Sequence, residues 1–198
     1  MPQLPDDGTP ELQDKLVELA QAGDPEAFTA LFNCYSPGIF GYVAGMVGHP
    51  EDTDELAQEI FFKAWKELPR LQQAASFKPW LYRIATNAVH DHWRYRQSRR
   101  LFWWSSLEDS KDLDDPQSFE ERVAERELVK QALKQIPRKY RRCLLLEIEG
   151  KLSRSEIADV VGISPPSVGV YISKARECFR QAYQGLEQHT NEERRSMS

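Results

Sequence analysis

The residues best suited to chemistry in this chain form one polar series in its first half. Five side chains that carry hydrogen-bond donors follow one another at steps of three and four: Arg83, Asn87, His90, Arg94 and Gln97. At that spacing they share one face of a helix. Such donors can meet phosphates and base edges, and the neighbouring Trp80 and Trp93 offer stacking surfaces. The pattern therefore indicates nucleic-acid binding, although a merely solvated helix face remains the alternative for this series alone.

A helix is needed to hold this stripe, and the sequence predicts one from Lys78-Pro79 to about Arg100. Proline suits a first helical position, because its missing N–H would have no intrahelical partner there. The other side of this helix gathers the side chains expected to face a core: Trp80, Leu81, Ile84, Ala85, Ala88 and Tyr95.

The preceding helix, EDTDELAQEIFFKAWKEL, carries a second candidate surface. We expect Asp52 or Thr53 to cap it. Its expected core face consists of Leu56, Ala57, Ile60, Phe61, Ala64 and Leu68. Phe62 falls instead on the polar side, beside Glu55, Gln58 and Glu59. One exposed Phe is unremarkable by itself, but a Phe framed by acids and an amide is a candidate anchor for a protein partner.

The most specific pattern is LSRSEIADVVGISPPSVGVYISKARECFR, at residues 152–180. Residues 153–156 read as a capping box, Gly162 as a tight turn, and Ser164-Pro165 as the start of a second helix. Two short helices joined in this way are typical of a helix-turn-helix, with a generic helical hairpin as the alternative. The second helix is expected to direct outward Pro166, Gly169, Val170, Ser173, Lys174 and Arg176.

The net charge of −5 conceals a segregation that suits nucleic-acid binding. Acids crowd residues 51–59 and 108–127, whereas bases crowd residues 83–100 and 134–142. Screening limits the reach of a charge to about 10 Å at ordinary salt, so the local field matters more than the sum. An acidic total with basic patches also fits a protein that reaches DNA together with a larger partner.

No catalytic, metal or cofactor motif stands out in the 198 residues. His90 and His92 lie two apart and diverge on a helix, and there is no phosphate loop and no nucleophile-and-base pair. Cys34, Cys143 and Cys178 are widely spaced and odd in number, so we expect buried thiols rather than disulfides or a zinc site. No apolar run is long enough to span a bilayer, and the first ten residues lack signal-peptide character, so we expect a non-enzymatic, cytoplasmic protein without membrane insertion.

The chain is thus predicted to be all-α, with two small helical domains joined by an acidic, flexible linker. Gly23-Asp24-Pro25 and Gly48-His49-Pro50 are expected to separate helices of the first domain. Within the linker, the pair Trp103-Trp104 could pack back on the first domain or await a partner. The expected divisions are a disordered segment at 1–10, a first domain at 11–100, a linker at 101–120, a second domain at 121–187 and a polar tail at 188–198.

This order of motifs resembles the extracytoplasmic-function (ECF) sigma factors of the bacterial sigma-70 family. The resemblance rests on ELAQEIFFKAW, FKPWLYRIATNAVHDHWR, the acidic linker and the C-terminal helix-turn-helix, and it spans roughly residues 11–185. It implies that the two domains correspond to sigma region 2, a helical bundle, and sigma region 4. The family directs core RNA polymerase to promoters by reading their −35 and −10 elements and helps to melt the DNA.

The resemblance also implies roles for individual residues. The helix of Phe62 would dock on the β′ clamp helices of core polymerase, using Asp54, Glu55, Gln58, Glu59 and Phe62. The helix after the loop 70–76 would read and melt the −10 element, using Arg70, Lys78, Trp80, Arg83, Asn87, His90, Trp93, Arg94 and Gln97. Region 4 would place its second helix in the major groove of the duplex −35 element, and it would also lie near the β flap. The residues implied are Arg154, Pro166, Ser167, Gly169, Val170, Tyr171, Ser173, Lys174 and Arg176. An anti-sigma factor would be a further partner.

One departure from the family and two other functions stay open at this point. Gly169 and Tyr171 stand where family members often carry Lys or Arg, which predicts −35 recognition through helix N-terminal amides and DNA shape. A stand-alone helix-turn-helix regulator is the main alternative, but it leaves residues 50–100 without a role. A mimic that only titrates an anti-sigma factor is another, and the Arg83–Gln97 stripe argues against it.

Overall fold

The computed structural model describes residues 10–102 and 118–196, with the side chains of 10, 97–102, 118–124 and 190–196 excepted. Within these residues the chain forms helices and no strand, which confirms the all-α prediction. The helices are α1 Pro10–Gln21, α2 Pro25–Val47, α3 Pro50–Glu67, α4 Phe77–Phe102, α5 Ser118–Gln135, α6 Arg138–Ile148, α7 Arg154–Val161 and α8 Pro165–Ser196, with 3₁₀ turns at Leu68–Arg70 and Ala74–Ser76. None of them is both long and apolar enough to cross a membrane, within the part of the chain that is described. The Trp103-Trp104 pair lies outside it.

Glycine and proline separate the first three helices as the sequence predicts. Gly23 follows α1 with φ +95°, a left-handed conformation that favours glycine. Asp24 then caps α2, because its Oδ1 accepts from the backbone N–H groups of Glu26 at 2.8 Å and Ala27 at 3.2 Å. Gly48, at φ +80°, ends α2 in the same way.

The predicted cap of α3 at Asp52 or Thr53 is wrong. The helix begins one turn earlier, at Pro50, with His49 as the capping residue and no side-chain cap bond. A proline is well suited to the first helical position, so it starts the helix before the polar residues are reached. Thr53 is consequently buried inside the first turn, where its hydroxyl donates to the carbonyl of His49 at 2.8 Å.

Helix α4 confirms most of the predicted core face, but not its far end. Leu81, Ile84 and Ala85 are buried, whereas Tyr95 is 62% exposed. Near this point Arg96 bonds Asp52 in the first turn of α3, with 2.6 Å between Nη1 and Oδ2. Because α3 runs no further, α4 has little bundle left to pack against, and the prediction for Tyr95 fails.

The second half of the chain forms the predicted helix-turn-helix. The backbone N–H of Ser153 donates to Glu156 Oε2 at 2.7 Å, and the N–H of Glu156 donates to Ser153 Oγ at 3.3 Å, which completes the capping box of α7. Gly162, at φ +75°, makes the turn into α8. The predicted core side chains of α8 are buried at Val168, Ile172 and Ala175 and half-buried at Phe179.

The two halves pack directly on one another. Helix α6 lies against α2, helix α7 lies against α4, and one continuous apolar core extends through both halves. Cys143 belongs to this core and Cys178 is half-buried, but Cys34 is exposed, so the prediction of buried thiols is wrong for Cys34. The two halves are therefore groups of helices that share a buried interface.

Candidate protein-binding and nucleic-acid-binding surfaces

The face of α3 that carries Phe62 is open to solvent. We call it the docking face: Asp54, Glu55, Gln58, Glu59 and Phe62, all exposed. The Phe62 side chain is 59% exposed, and Lys66 Nζ lies 4.2 Å from the centre of its ring. An apolar ring that is rimmed by acids and partly shielded by a cation has the composition of a protein-binding anchor.

Two further aromatic side chains reach the surface beside this face, and the sequence did not single them out as docking residues. Trp65 is 36% exposed and packs edge-on against Phe28, with 4.7 Å between ring centroids. Phe32 of α2 is 37% exposed and packs against Phe61 at 4.6 Å. Trp65 lies one helical turn beyond Phe62, so the helical spacing already contained this signal. Together they extend the apolar part of the surface.

The loop before α4 is held in place by one side chain of α1. Gln21 Nε2 donates to the carbonyl of Leu71 at 2.6 Å and to that of Leu68 at 3.3 Å. Arg70 is exposed between these two anchor points. The loop therefore presents its arginine from a fixed backbone.

The polar stripe of α4 is exposed along the described part of its length. Arg83, Asn87, His90 and Arg94 are all exposed, whereas the side chain of Gln97 lies outside the described residues. One acid lies within the stripe: Asp91 Oδ1 is 3.9 Å from His90 Nδ1 and 3.7 Å from Arg94 Nη1. The stripe thus combines cationic and neutral donors on one accessible face.

The two tryptophans beside the stripe are less accessible than the sequence suggested. Trp80 is half-buried and packs against Phe77, with 5.7 Å between centroids. Trp93 is also half-buried, and the guanidinium of Arg138, in α6, lies 4.3 Å from its ring centre. Neighbouring Lys78 donates from Nζ to the carbonyl of Lys151 at 3.0 Å. Both Arg138 and Lys151 belong to the second half of the chain.

The start of α8 presents a second, separate surface. Arg154 and four residues of the first turns of α8 are exposed: Pro166, Val170, Ser173 and Lys174. Gly169 and Ser167 are half-buried, and the Ser167 hydroxyl lies 2.8 Å from that of Ser164 at the helix start. This surface is weakly charged, as the sequence indicated.

Three residues predicted for this surface also make contacts within the protein. Tyr171 is half-buried and packs edge-on against Tyr140, with 5.1 Å between centroids. Lys174 Nζ lies 5.6 Å from the centre of the Tyr140 ring. Arg176 is exposed and pairs with Glu147 of α6 at 2.5 Å. Tyr171 therefore supports the packing of α8 on α6, which limits its reach toward a ligand.

Among the described residues, no group of three or more His, Cys, Asp or Glu side chains could hold a metal ion.

Two family models match this chain. The model of sigma-70 region 2 matches residues 31–99, and that of sigma-70 region 4 matches residues 126–179. The first match contains the docking face and the α4 stripe, and the second contains the helix-turn-helix.

Relatives and solved structures agree with the family models. The chain is 33% identical over 188 residues to the RNA polymerase sigma-H factor of Pseudomonas aeruginosa, covering 90% of this chain and 97% of that protein. It is 27% identical to the ECF RNA polymerase sigma factor SigW of Bacillus subtilis, covering 87% and 97% respectively.

Two solved structures have the same fold. CnrH, in complex with the cytosolic domain of CnrY, matches with a TM-score of 0.65 at 23% identity, covering 87% of this chain and 97% of CnrH. The sigma factor RpoE of Bartonella quintana, solved with the anti-sigma factor NepR, matches with a TM-score of 0.64 at 16% identity, covering 79% and 96%. The chain belongs to the sigma-70 family and is an RNA polymerase sigma factor of the ECF type.

Proposed function

We propose that this sigma factor binds core RNA polymerase through the docking face of α3. The observation that carries the proposal is the 59% exposed Phe62 within a row of exposed acids, in the segment that matches region 2. Burial of such a ring is favourable because it removes apolar surface from water. The partner surface, in the clamp helices of the β′ subunit, would supply the complementary positive charge.

The −10 element would be bound by α4 and the loop before it. Arg83, His90 and Arg94 would meet phosphates, and Asn87 would donate to a base edge. Melting also requires a site that holds an unstacked base. The base would stack on the ring of Trp80 or Trp93 and accept hydrogen bonds from Lys78 and Arg70. In this role Arg83 and Arg94 would position the DNA, and Asn87 would read a base.

The −35 element would be bound by the start of α8, with its first turns in the major groove of duplex DNA. Few charged side chains lie on the surface at the start of α8. The exposed Val170 and Ser173 would therefore contact base edges, while Lys174 and Arg154 would contact phosphates. Arg176 would have to leave Glu147 in order to contact DNA or the β flap. Recognition would therefore depend strongly on helix N-terminal amides and on DNA shape.

An anti-sigma factor is a further proposed partner. The support is that the structurally similar RpoE of Bartonella quintana was solved with the anti-sigma factor NepR. Such a partner would keep this chain from core polymerase, so the two should compete for it in a binding assay.

The decisive experiment is run-off transcription with purified core polymerase on duplex and fork-junction promoter templates. A transcript from a specific start site should require this protein. Phe62→Ala should lose core binding, and the control Leu12→Ala, which removes an apolar side chain 44% exposed on α1, should not. Asn87→Ala should bind core but open the duplex promoter poorly, and the control Asn33→Ala, at an exposed position of α2, should behave as wild type.

Tight binding to duplex DNA without any core-dependent transcript would instead favour a stand-alone helix-turn-helix regulator. Equal losses in Asn33→Ala and Asn87→Ala would refute the assignment of the −10 element to α4.

A further inference from the structure

The loop 70–76 is tied to the rest of the bundle by a side chain of α1. Its own bonds are local: the N–H of Leu71 donates to the carbonyl of Leu68, and the N–H of Ser76 donates to that of Gln73, each at 3.0 Å. Bonds of this kind shape a turn, but they do not fix its position relative to other helices. Gln21 lies 50 residues before Leu71 in the chain and bonds to that residue directly.

The amide of Gln21 uses both of its donors for this purpose. A primary amide carries two N–H groups. Gln21 Nε2 donates to the carbonyl of Leu71 at 2.6 Å and to that of Leu68 at 3.3 Å. The two carbonyls stand on either side of Arg70, which is exposed. Gln21 thus fixes the backbone that carries one of the donors proposed above for an unstacked base.

Helix α1 also supports the aromatic side of the same site, through a second glutamine. The Tyr35 hydroxyl donates to Gln13 Oε1 at 3.4 Å, and burial raises the pKa of Tyr35 to about 12, so this hydroxyl remains a donor at neutral pH. The Tyr35 ring packs on the buried Phe77, with 5.3 Å between centroids, and Phe77 packs on Trp80 at 5.7 Å. The ring proposed to stack on the base is therefore supported from behind by α2 and α1.

A site for an unstacked base benefits from being formed in advance. Gln72, Gln73 and Ala75 of the loop are exposed, so few side-chain contacts of their own hold them in place. A loop that became ordered only on binding would lose conformational entropy at that step, and the affinity would fall accordingly. A tie between the loop and a helix reduces this cost.

We propose that Gln21 is a positioning residue for base capture: it holds the loop 70–76 so that Arg70 and Trp80 together receive one unstacked base of the −10 element. The proposal rests on the −10 role proposed above and extends that role to α1. Gln21 acts here through the loop backbone, and the base itself would contact the loop and α4.

The test asks whether the effect of Gln21 depends on the captured base. Gln21→Met keeps the length of the side chain and removes both donors. Its binding, together with core polymerase, is measured on a fork-junction probe and on probes with one abasic site at each unpaired −10 position in turn. The wild-type protein should lose most affinity at one position, which identifies the captured base. Gln21→Met should bind the intact probe about tenfold more weakly than wild type, as expected for the loss of hydrogen bonds of ordinary strength, and the probe lacking that base equally well.

A second variant and a control accompany this measurement. Gln21→Glu has nearly the same shape, but its carboxylate donates no hydrogen bond. Its charge weakens binding to every probe alike, so the ratio between intact and abasic probes should fall as it does for Gln21→Met. Gln184→Met changes an exposed amide of α8 in the same way and should leave that ratio unchanged. Without DNA, the amides of the loop 70–76 should exchange hydrogen faster in the two Gln21 variants than in wild type or the control.

The results separate this proposal from the one on which it rests. A wild-type protein that binds the intact and all abasic probes equally would refute base capture by the loop. If wild type does distinguish them, an unchanged ratio in Gln21→Met would overturn the positioning role, because a residue that only stabilises the fold weakens binding to intact and abasic probes alike. Loop amides that exchange at the wild-type rate in both Gln21 variants would overturn it as well.

Discussion

The loss of polymerase affinity in Phe62→Ala can be worked out from the exposed ring. A phenylalanine side chain offers roughly 200 Å² of surface. With 59% of it exposed in the free protein, about 120 Å² remains for a partner to cover. At about 25 cal/mol per Å², complete burial corresponds to about 3 kcal/mol, or about a 150-fold change in dissociation constant.

The same exposure predicts that the substitution leaves the protein stable. The ring contributes little to the core, so the melting temperature of Phe62→Ala should match that of wild type. Fluorescence anisotropy of labelled protein titrated with core polymerase measures the affinity, and a thermal melt measures the stability. Leu12→Ala removes a comparably exposed apolar side chain from α1 and should retain full affinity.

A loss of less than about fivefold would refute the reasoning, because a ring buried at the centre of an interface contributes at least about 1 kcal/mol. A large drop in melting temperature would refute it differently, by showing that Phe62 is a packing residue. Lys66 provides an internal check: its ammonium covers the ring at 4.2 Å, so Lys66→Ala should weaken binding less than Phe62→Ala.

Three other predictions follow from single residues. Burial raises the pKa of the Glu149 carboxyl above its ordinary value, so stability present at low pH is lost as pH rises through the raised pKa. At neutral pH, Glu149→Gln should therefore have a higher melting temperature than wild type. At about pH 4 the two melting temperatures should be equal. A lower melting temperature for the variant at neutral pH would contradict this reasoning. Lys174→Ala should reduce the slope of log affinity against log salt concentration for −35 duplex DNA by about one. Lys15→Ala, on α1, is the control and should leave this slope unchanged. Equal slopes for both variants would exclude Lys174 as a phosphate contact. Ser153→Ala breaks the capping box of α7 and should destabilise the protein by about 1 kcal/mol. The melting temperature should therefore fall by about 2–4 °C. An unchanged melting temperature would show that the cap does not contribute to stability.

Local chemistry explains what the sequence predicted well. The capping box at Ser153, the turn at Gly162 and the break at Gly48 depend on a few neighbouring residues, and each is present in the structure. The exposure of Phe62 followed from helical spacing alone, since it lies opposite the apolar face of α3. The stripe of α4 was predictable for the same reason.

Errors arose where a neighbouring element decides the outcome. Tyr95 has the spacing of a core residue, but α3 begins at Pro50 and leaves that end of α4 uncovered. Tyr82 and Val89 are buried, although the predicted core face did not include them, because helices of both halves pack around α4. Burial at such positions depends on which helices surround an element, and periodicity within one helix does not contain that information.

The sequence by itself thus determined an all-α sigma factor with two helical regions, an exposed anchor at Phe62 and a stripe of donors on α4. These features depend on residue spacing, helix capping and local charge, which act within a few turns of one helix. Only the tertiary structure decided that region 4 docks on region 2. That contact joins Gly41 to Glu149 and Lys78 to Lys151, residues far apart in the chain. The pattern GxxGxxxG from Gly38 to Gly45 is visible in the sequence, but its meaning depends on the backbone that approaches it in three dimensions.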